Sequence, residues 1–540
     1  MNWTRILRRT SLALALATAV GGAAVASAGT WTAVAANLPV PIAGVAILLS
    51  DGTVLVLCDG VGGDSIGDTW RRLTPDSHGS YVNGTWSTIA AMPNSRLYFS
   101  SQLLKDGRLY VAGGEYGTGK SKGEVYDPVA NTWTATGDTG GVVSDANSEI
   151  LPDGRVLQAL VTGDLKKIRI YDPATNAFIN GPSTLGIHNE SVWVKLADDS
   201  VLFVDRGDVT SERYIPATNT WVSAGTVPVS LYDPWGLETG GAVLLPDGRA
   251  FFLGSLSTSA FYTPSTGQWT AGPALPNGSG VPDGPMAMMV DGKVLCAMSP
   301  APTPADHFPT PTKFYVFDPA TNAFTQTGAP GGGTSIADSV YVFCFLTLPD
   351  GSVMSVQQGM NTCYVYTPDG APIAAGKPAI ASVTKTAAST YLLAGTGFNG
   401  ISQGASYGDD WQMNTNYPLA RLTSANGTVV RYARTFNWNR TGVATGAAPT
   451  TTMIALPSGL APGSYSLSVV ANGIPSSSVP FVVTASACLP DLNADGLVNG
   501  ADLAVLLGAW GTSGPGDFNG SGTVDGADLA TMLGARGACP

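Results

Sequence analysis

The chain has 540 residues and a formal net charge of −12, with 12% charged residues against 67 glycines and 37 prolines. That length allows two to four domains, and the glycine and proline content favours strands and turns over helices. The negative charge argues against a nucleic-acid partner, because nothing would neutralise a phosphate backbone.

The N-terminus reads as a processing segment over residues 1–28. Arg5, Arg8 and Arg9 precede the apolar run SLALALATAV, and the small-residue site Ala26-Ser27-Ala28 follows. Its removal would leave a mature chain of net charge −15. No later stretch is long and apolar enough for a membrane span. The expectation is export to the periplasm or the cell exterior, with no transmembrane segment in the mature chain.

A hairpin with an acid at its turn then recurs seven times: LLSDGTVLVL, LLKDGRLYVA, ILPDGRVLQA, LADDSVLFVD, LLPDGRAFFL, MVDGKVLCAM and TLPDGSVMSV. The expected turn acids are Asp51, Asp106, Asp153, Asp199, Asp247, Asp291 and Asp350, spaced 44 to 59 residues apart. Apolar alternation runs into and out of each turn, as a hairpin requires. A second signature follows in YDPVANTW, YDPATNAF, YIPATNTW, YTPSTGQW and FDPATNAF, where two aromatics stand seven residues apart. Four strands per repeat make one propeller blade. Residues 29–375 are therefore expected to form a seven-bladed β-propeller, with the shared aromatics packing blade against blade. The last repeat lacks its outer strand, and the segment around Trp31 matches that strand, so it is expected to seal the ring and remove exposed edges.

Residues 376–485 lose the repeat but keep alternating strands, which suggests an immunoglobulin-like β-sandwich. It contains GASYGDDWQMNTNYPLARLT. The seven kelch-type repeats followed by this sandwich motif resemble the galactose oxidase and glyoxal oxidase superfamily, over residues 31 to 485. The resemblance implies an all-β kelch propeller with an early-set sandwich. It also implies a copper site built from a cysteine-linked tyrosine, an axial tyrosine followed by a histidine, and a histidine from the sandwich. The linked tyrosine matches Tyr98 and the axial tyrosine matches Tyr341. The cysteine position holds Ala43, the first histidine position holds Val342, and the second falls near Phe436, in a sandwich without histidine. No copper is expected at such a site, because copper(II) favours nitrogen ligands that are missing here.

The same turn-relative positions around the ring give Ala43, Tyr98, Asp145, Glu190, Glu238, Asp283 and Tyr341. If these point inward, four carboxylates and two tyrosines line the axial mouth. Such carboxylates repel one another unless a cation or a hydroxyl-rich ligand answers them. They fit calcium, a sugar, or an acid and base pair in glycoside chemistry. They also fit solvated loop residues. Tyr98, Tyr341 and Trp235 are candidates to stack on a sugar ring, and His188 reads as a loop residue.

The C-terminal segment, residues 486–540, carries DLNADGLVNGAD and DFNGSGTVDGAD. Each places oxygen donors where a calcium loop needs them, with glycine at the sharp turn. The first offers Asp491, Asn493, Asp495, the Leu497 carbonyl, Asn499 and Asp502. The second offers Asp517, Asn519, Ser521, the Thr523 carbonyl, Asp525 and Asp528. Each loop opens an apolar helix and none precedes it, a pattern that resembles a type I dockerin and implies about two calcium ions. Dockerins dock onto cohesins, so the resemblance implies a cohesin-like or other cell-surface partner. Cys488 and Cys539 bracket this segment and are the expected disulfide pair.

Together these observations predict an exported, all-β protein that binds glycan or another surface polymer through its propeller and attaches through its tail. A carbohydrate-active enzyme, whether an oxidase with altered ligands, a hydrolase or a lyase, is the first alternative. A structural surface protein is the second.

Overall fold

Six of the seven hairpins close by the same local chemistry. The turn aspartate accepts the backbone N–H two residues on, as Thr53 donates to Asp51 at 3.0 Å, Arg108 to Asp106 at 3.0 Å and Arg249 to Asp247 at 3.0 Å. The glycine between them takes a left-handed φ, 78° at Gly52 and 93° at Gly154, which costs glycine little. The fourth turn differs by one residue. Ser200 donates to Asp198 at 3.1 Å, and Asp199 occupies the glycine's place with φ 64°. The turn acid of that repeat is therefore Asp198, not the expected Asp199.

The computed structural model describes residues 29–58, 66–161, 164–387, 389–408, 410–484, 488–493 and 495–539. The expected processing segment lies outside them. Seven antiparallel blade sheets follow one another in chain order, six of them four-stranded and the sixth blade extended to six strands by Ser279–Gly280 and Ala405–Ser406. The first blade is Ile42–Leu48, Val54–Cys58, Thr69–Thr74 and Thr85–Thr88, and the second runs from Ser100–Leu103 to Thr132–Ala135. The seventh takes three strands from Phe343–Thr347, Val353–Gln357 and Tyr364–Pro368, and its outer strand is Gly29–Ala33. Trp31 stands opposite Tyr366, with ring centroids 4.9 Å apart. The first described strand thus closes the ring.

The repeated aromatics face each other across strands inside each blade: Tyr126 and Trp133 at 5.0 Å, Tyr214 and Trp221 at 5.3 Å, Tyr262 and Trp269 at 5.1 Å. They also join blades. Tyr110 stacks on Tyr171 at 4.8 Å, and Phe251 on Phe317 at 4.3 Å. Indole N–H groups reach back to the neighbouring blade's carbonyls, Trp31 to Gly328 at 2.7 Å, Trp133 to Ala90 at 2.9 Å and Trp221 to Pro182 at 3.2 Å. In these blades one side chain therefore fills the seam and satisfies its own polar atom.

The following β-domain departs from two separate sheets. Its eight strands form one hydrogen-bonded sheet. The strand Val430–Phe436 pairs through its first half with Leu419–Ser424 and through its second half with Pro449–Ala455. That shared strand curls the sheet into a half-barrel around Leu393, Leu422, Ile454, Leu467 and Phe481. Beyond it, helices α1 (Gly500–Gly508) and α2 (Gly526–Gly534) pack on a small core of Val498, Leu506, Val524 and Met532, and a disulfide joins Cys488 to Cys539. No helix of the described residues is long and apolar enough to cross a membrane.

Candidate functional site

Just before its inner strand, each of four blades turns through a left-handed residue that is not glycine: Tyr98 (φ 52°), Asp145 (43°), Glu190 (57°) and Asp283 (51°). All four stand eight residues before their turn acid, once Asp198 replaces Asp199 in the count. Such backbone costs a side-chain-bearing residue about 1–2 kcal/mol, and residues held in it cluster at ligand sites. The rim is tied together from blade to blade. Glu190 N–H donates to the Asp145 carbonyl at 3.4 Å, Thr239 Oγ1 to the Glu190 carbonyl at 2.8 Å, and Asp283 N–H to the Thr239 carbonyl at 3.1 Å.

The half-barrel closes the axis from below. A segment between its strands Thr390–Thr396 and Leu419–Ser424 enters the ring and bonds to five inner strands in turn. Gln412 Oε1 accepts from Ser101 N–H and Ser148 Oγ, both at 2.9 Å, and Gln403 Oε1 accepts from Lys195 N–H at 2.8 Å. Ser406 Oγ accepts from Ala242 N–H at 3.1 Å, and the Gly404 carbonyl accepts from Met288 N–H at 2.7 Å. Those five blade positions are successive repeats of one site, 46 or 47 residues apart. The propeller axis is therefore a cup with a floor.

The segment delivers Tyr407, Asp410 and Trp411 to that floor. Trp411 packs between Tyr98 and Tyr407, each 5.0 Å away, and Tyr407 OH donates to the Tyr341 carbonyl at 2.8 Å. The first blade makes room for the indole, since a Cβ on Gly44 would lie 2.5 Å from it. Ala43 is consequently buried and does not reach the cup.

The cup is a cavity of about 290 Å³ lined by Tyr98, Glu115, Tyr116, Asp145, Glu190, Glu238, Asp283, Phe308, Tyr341 and Asp410. The structure thus brings together all six sequence-derived channel candidates. Trp235, by contrast, is 39% exposed and stands outside the lining. Glu190, Glu238 and Asp283 each place one carboxylate oxygen within 4.8 Å of the others, close enough to share one hard cation. Among the described residues, no lining residue is basic. The nearby buried cations are committed elsewhere, Lys195 to Glu149 at 2.9 Å and Arg96 to Glu124. Burial, together with the charges of Asp283, Tyr98 and Asp410, pushes the Tyr407 phenol well above its usual range, so it keeps its proton.

His188 is no counter-charge either. It is fully buried, its Nε2 lies 3.3 Å from the Lys167 carbonyl, and burial pulls its pKa down to about 4. An unfolded histidine titrates near 6.5, so between that pH and about 4 the unfolded chain binds a proton that the folded chain refuses. Stability is full above pH 6.5 and falls as the pH drops towards 4, by about 3 kcal/mol from this group. His188→Gln is expected to flatten this part of the pH profile of the melting temperature. An unchanged slope would contradict the buried, neutral imidazole.

Glu115, Tyr116, Phe308 and Asp410 were missed by turn-relative reading. The first three sit on connections after or between blade strands, and Asp410 comes from another domain. Only the dense polar and aromatic run SYGDDWQMNTNY hints at Asp410.

Comparison with known proteins supports the architecture. The kelch motif model matches residues 105–138, which lie in the second blade. A copper-bound fungal alcohol oxidase of the AA5 family superposes over 85% of this chain and all of its own, at a TM-score of 0.51 and 16% identity. The fold is that of a galactose-oxidase-like kelch propeller. The structure of YjhT also aligns, at a TM-score of 0.38 and 15% identity over 54% of this chain and 99% of its own. Spermatocyte protein spe-26 of Caenorhabditis elegans is 27% identical over 158 residues, 27% of this chain. The match spans about a quarter of that relative.

In this kelch propeller, Tyr98 and Tyr341 both face the cup, and Gln358 Nε2 reaches Tyr98 OH at 3.3 Å. Val342 packs partly buried against the core. Phe436, near the position sought for the sandwich histidine, stands instead on the half-barrel beneath the Arg434 guanidinium, 4.4 Å from it. The half-barrel residue that lines the cup is Asp410. Among the described residues, the lining offers oxygen donors and no imidazole.

The C-terminal loops are built alike. Asp491 accepts from Gly496 N–H at 2.9 Å, and Asp517 from Gly522 N–H at 2.8 Å. Asp502 accepts from the Asn499, Leu492 and Asn493 N–H groups, and Asp528 from those of Asp525, Phe518 and Asn519. These amides, Asn499 and Asp525 first, hold both carboxyls below the usual range and keep them anionic. With Asn493, Asp495, Asn519, Ser521 and the Leu497 and Thr523 carbonyls beside them, each loop presents an all-oxygen set. That chemistry fits calcium.

Proposed function

We propose that this is an exported, non-oxidase binding protein that holds a hydroxyl-rich polymer, a glycan, in the acidic cup of its propeller. One observation carries the reading: among the described residues, six carboxylates and four aromatic rings converge on a cavity of about 290 Å³ without a basic residue. Sugar hydroxyls donate to carboxylates, and the apolar faces of sugar rings pack on Tyr98, Tyr116, Phe308 and Tyr341. The C-terminal loops bind about two calcium ions and serve attachment to a cohesin-like or other cell-surface partner. The helix starts Gly500-Ala501 and Gly526-Ala527 present that surface.

Native affinity electrophoresis through gels containing different polysaccharides tests the cup. Retardation by at least one polymer, relieved by its short oligosaccharide, is expected; free migration through neutral, acidic and amino-sugar polymers alike would sink the proposal. Copper loading tests the non-oxidase part. After exhaustive dialysis the mature protein is expected to retain almost no copper, and one tightly held copper per chain would restore Tyr98 and Tyr341 as oxidase residues.

A second reading has its own support in the carboxylate trio. Glu190, Glu238 and Asp283 would hold a hard divalent cation, to which polymer hydroxyls then bind. In that case chelator abolishes retardation even when both C-terminal loops carry Asp491→Ala and Asp517→Ala; without the cation, chelator leaves it unchanged.

A further inference from the structure

The two C-terminal loops are alike in their ligands but differ in what stands behind them. Loop 2 is backed by the stretch that leaves α1: Val524 N–H donates to the Thr512 carbonyl at 2.8 Å, and Gly511 N–H to the Val524 carbonyl at 2.9 Å. Loop 1 has the equivalent wall, but from the stretch that leaves α2. Leu497 pairs with Ala538, Val498 with Gly537, and Cys539 N–H donates to the Gly496 carbonyl at 2.9 Å. Loop 2's wall lies between α1 and loop 2 itself, so continuing chain holds it on both sides. Loop 1's wall is held by the Cys488–Cys539 disulfide, which bridges a separation of 51 residues.

The disulfide also touches loop 1 itself. Asp491 N–H donates to the Cys488 carbonyl at 2.8 Å, and Cys539 Sγ lies 3.5 Å from Asp491 Oδ2. It therefore fixes the loop's first ligand and the strand behind its glycine turn at once. The module's core is small, four buried side chains with seven partly buried ones packed on them among the described residues, and domains this small generally need such staples.

We propose that the Cys488–Cys539 disulfide is a redox clamp on loop 1, so that its reduction weakens calcium binding there and spares loop 2. This rests on the reading of both loops as calcium sites. A dithiol reductant supplies two electrons and two protons; the sulfur–sulfur bond breaks, Cys488 and Cys539 become thiols, and the reductant becomes a disulfide. The wall over residues 537–539 then loses its tether, and Asp491 loses its fixed backbone. The ordering of both must come out of the calcium binding energy. Reduced protein would accordingly hold about one ion where oxidised protein holds two.

Calcium titration calorimetry on the full chain, oxidised and after dithiothreitol, tests this. Asp517→Ala isolates loop 1, Asp491→Ala isolates loop 2, and the double variant supplies the background from any cup site. Reduction is expected to raise the loop 1 Kd at least tenfold and the loop 2 Kd less than threefold. The Cys488→Ser, Cys539→Ser pair should match the reduced protein without any reductant. Equal Kd values before and after reduction overturn the clamp while leaving the calcium loops intact. Loss at both loops together overturns its selectivity, because the whole module has then come apart. No calcium in either loop of the oxidised chain overturns the loop reading, and the clamp with it.

Discussion

Replacing Glu190 and Glu238 together by glutamine is expected to cut affinity for the retained polymer at least tenfold while leaving the fold intact. Each carboxylate is half-buried on the rim, and both belong to the trio that approaches within 4.8 Å. Glutamine keeps the shape, but it replaces a charged acceptor with a neutral one, and hydrogen bonds to charged groups contribute about 1.5–3 kcal/mol each. Losing two such acceptors therefore outweighs any gain from relieved repulsion between the acids. The dissociation constant comes from affinity electrophoresis, with the melting temperature measured alongside. A melting temperature within about 2 °C of the parent is expected, since surface changes usually stay within about 0.5 kcal/mol. Unchanged affinity in a folded double variant would show that the polymer binds elsewhere.

Trp31→Ala is expected to destabilise the propeller by about 1–3 kcal/mol, since its indole is half-buried and anchors the closing strand. The indole packs on Tyr366, Phe314 and Phe345 at 4.9, 5.6 and 6.3 Å, and its N–H is bonded across the seam to Gly328. Other blade tryptophans make comparable contacts. Trp31 adds one role they lack, because its strand is the piece that closes the seventh blade on the first. Losing the indole leaves a cavity and loosens the anchor of that outer strand. Scanning calorimetry of Trp31→Ala beside Trp133→Ala and Val129→Ala reads this directly. Val129 is 69% exposed, so its truncation should be silent. A Trp31 effect no larger than that of Val129 would contradict closure through the first strand.

Much of the fold was legible because a propeller repeats its chemistry. An Asp-Gly pair fixes a hairpin, and an aromatic pair seven residues apart marks two facing strands. The fourth repeat was misread by one residue because LADDS offers two acids and no glycine, and only the backbone shows Asp199 in the glycine's conformation. The half-barrel's single sheet was not legible, since alternation marks a strand but not its partners, and Val430–Phe436 divides its bonds between two neighbours. The cup was half legible. Tyr98, Asp145, Glu190, Glu238, Asp283 and Tyr341 follow from the repeat, whereas Asp410 and Trp411 arrive on an irregular segment held by Gln403 and Gln412 side chains. Hydrogen bonds between domains leave no period in a sequence. Ala43 falls short for the same reason, because Trp411 fills its sector.

The floor also bears on activity. On the proposed glycan reading, an axis open at both ends would let a polymer thread through, whereas a closed cup would take a chain end, a branch or a loop of one. Since Asp410 comes from the half-barrel and the rim acids come from the blades, ligand affinity should depend on the seating of one domain in the other.

The most direct measurement is a crystal structure of the complex with a short oligosaccharide of whichever polymer retards the protein. Density for a sugar ring inside the cup, against Tyr98 or Tyr341 and within hydrogen-bond distance of Glu190, Glu238 or Asp283, is the result this account predicts. Density on the outer blade strands or on the half-barrel, with the cup left to solvent, would contradict it.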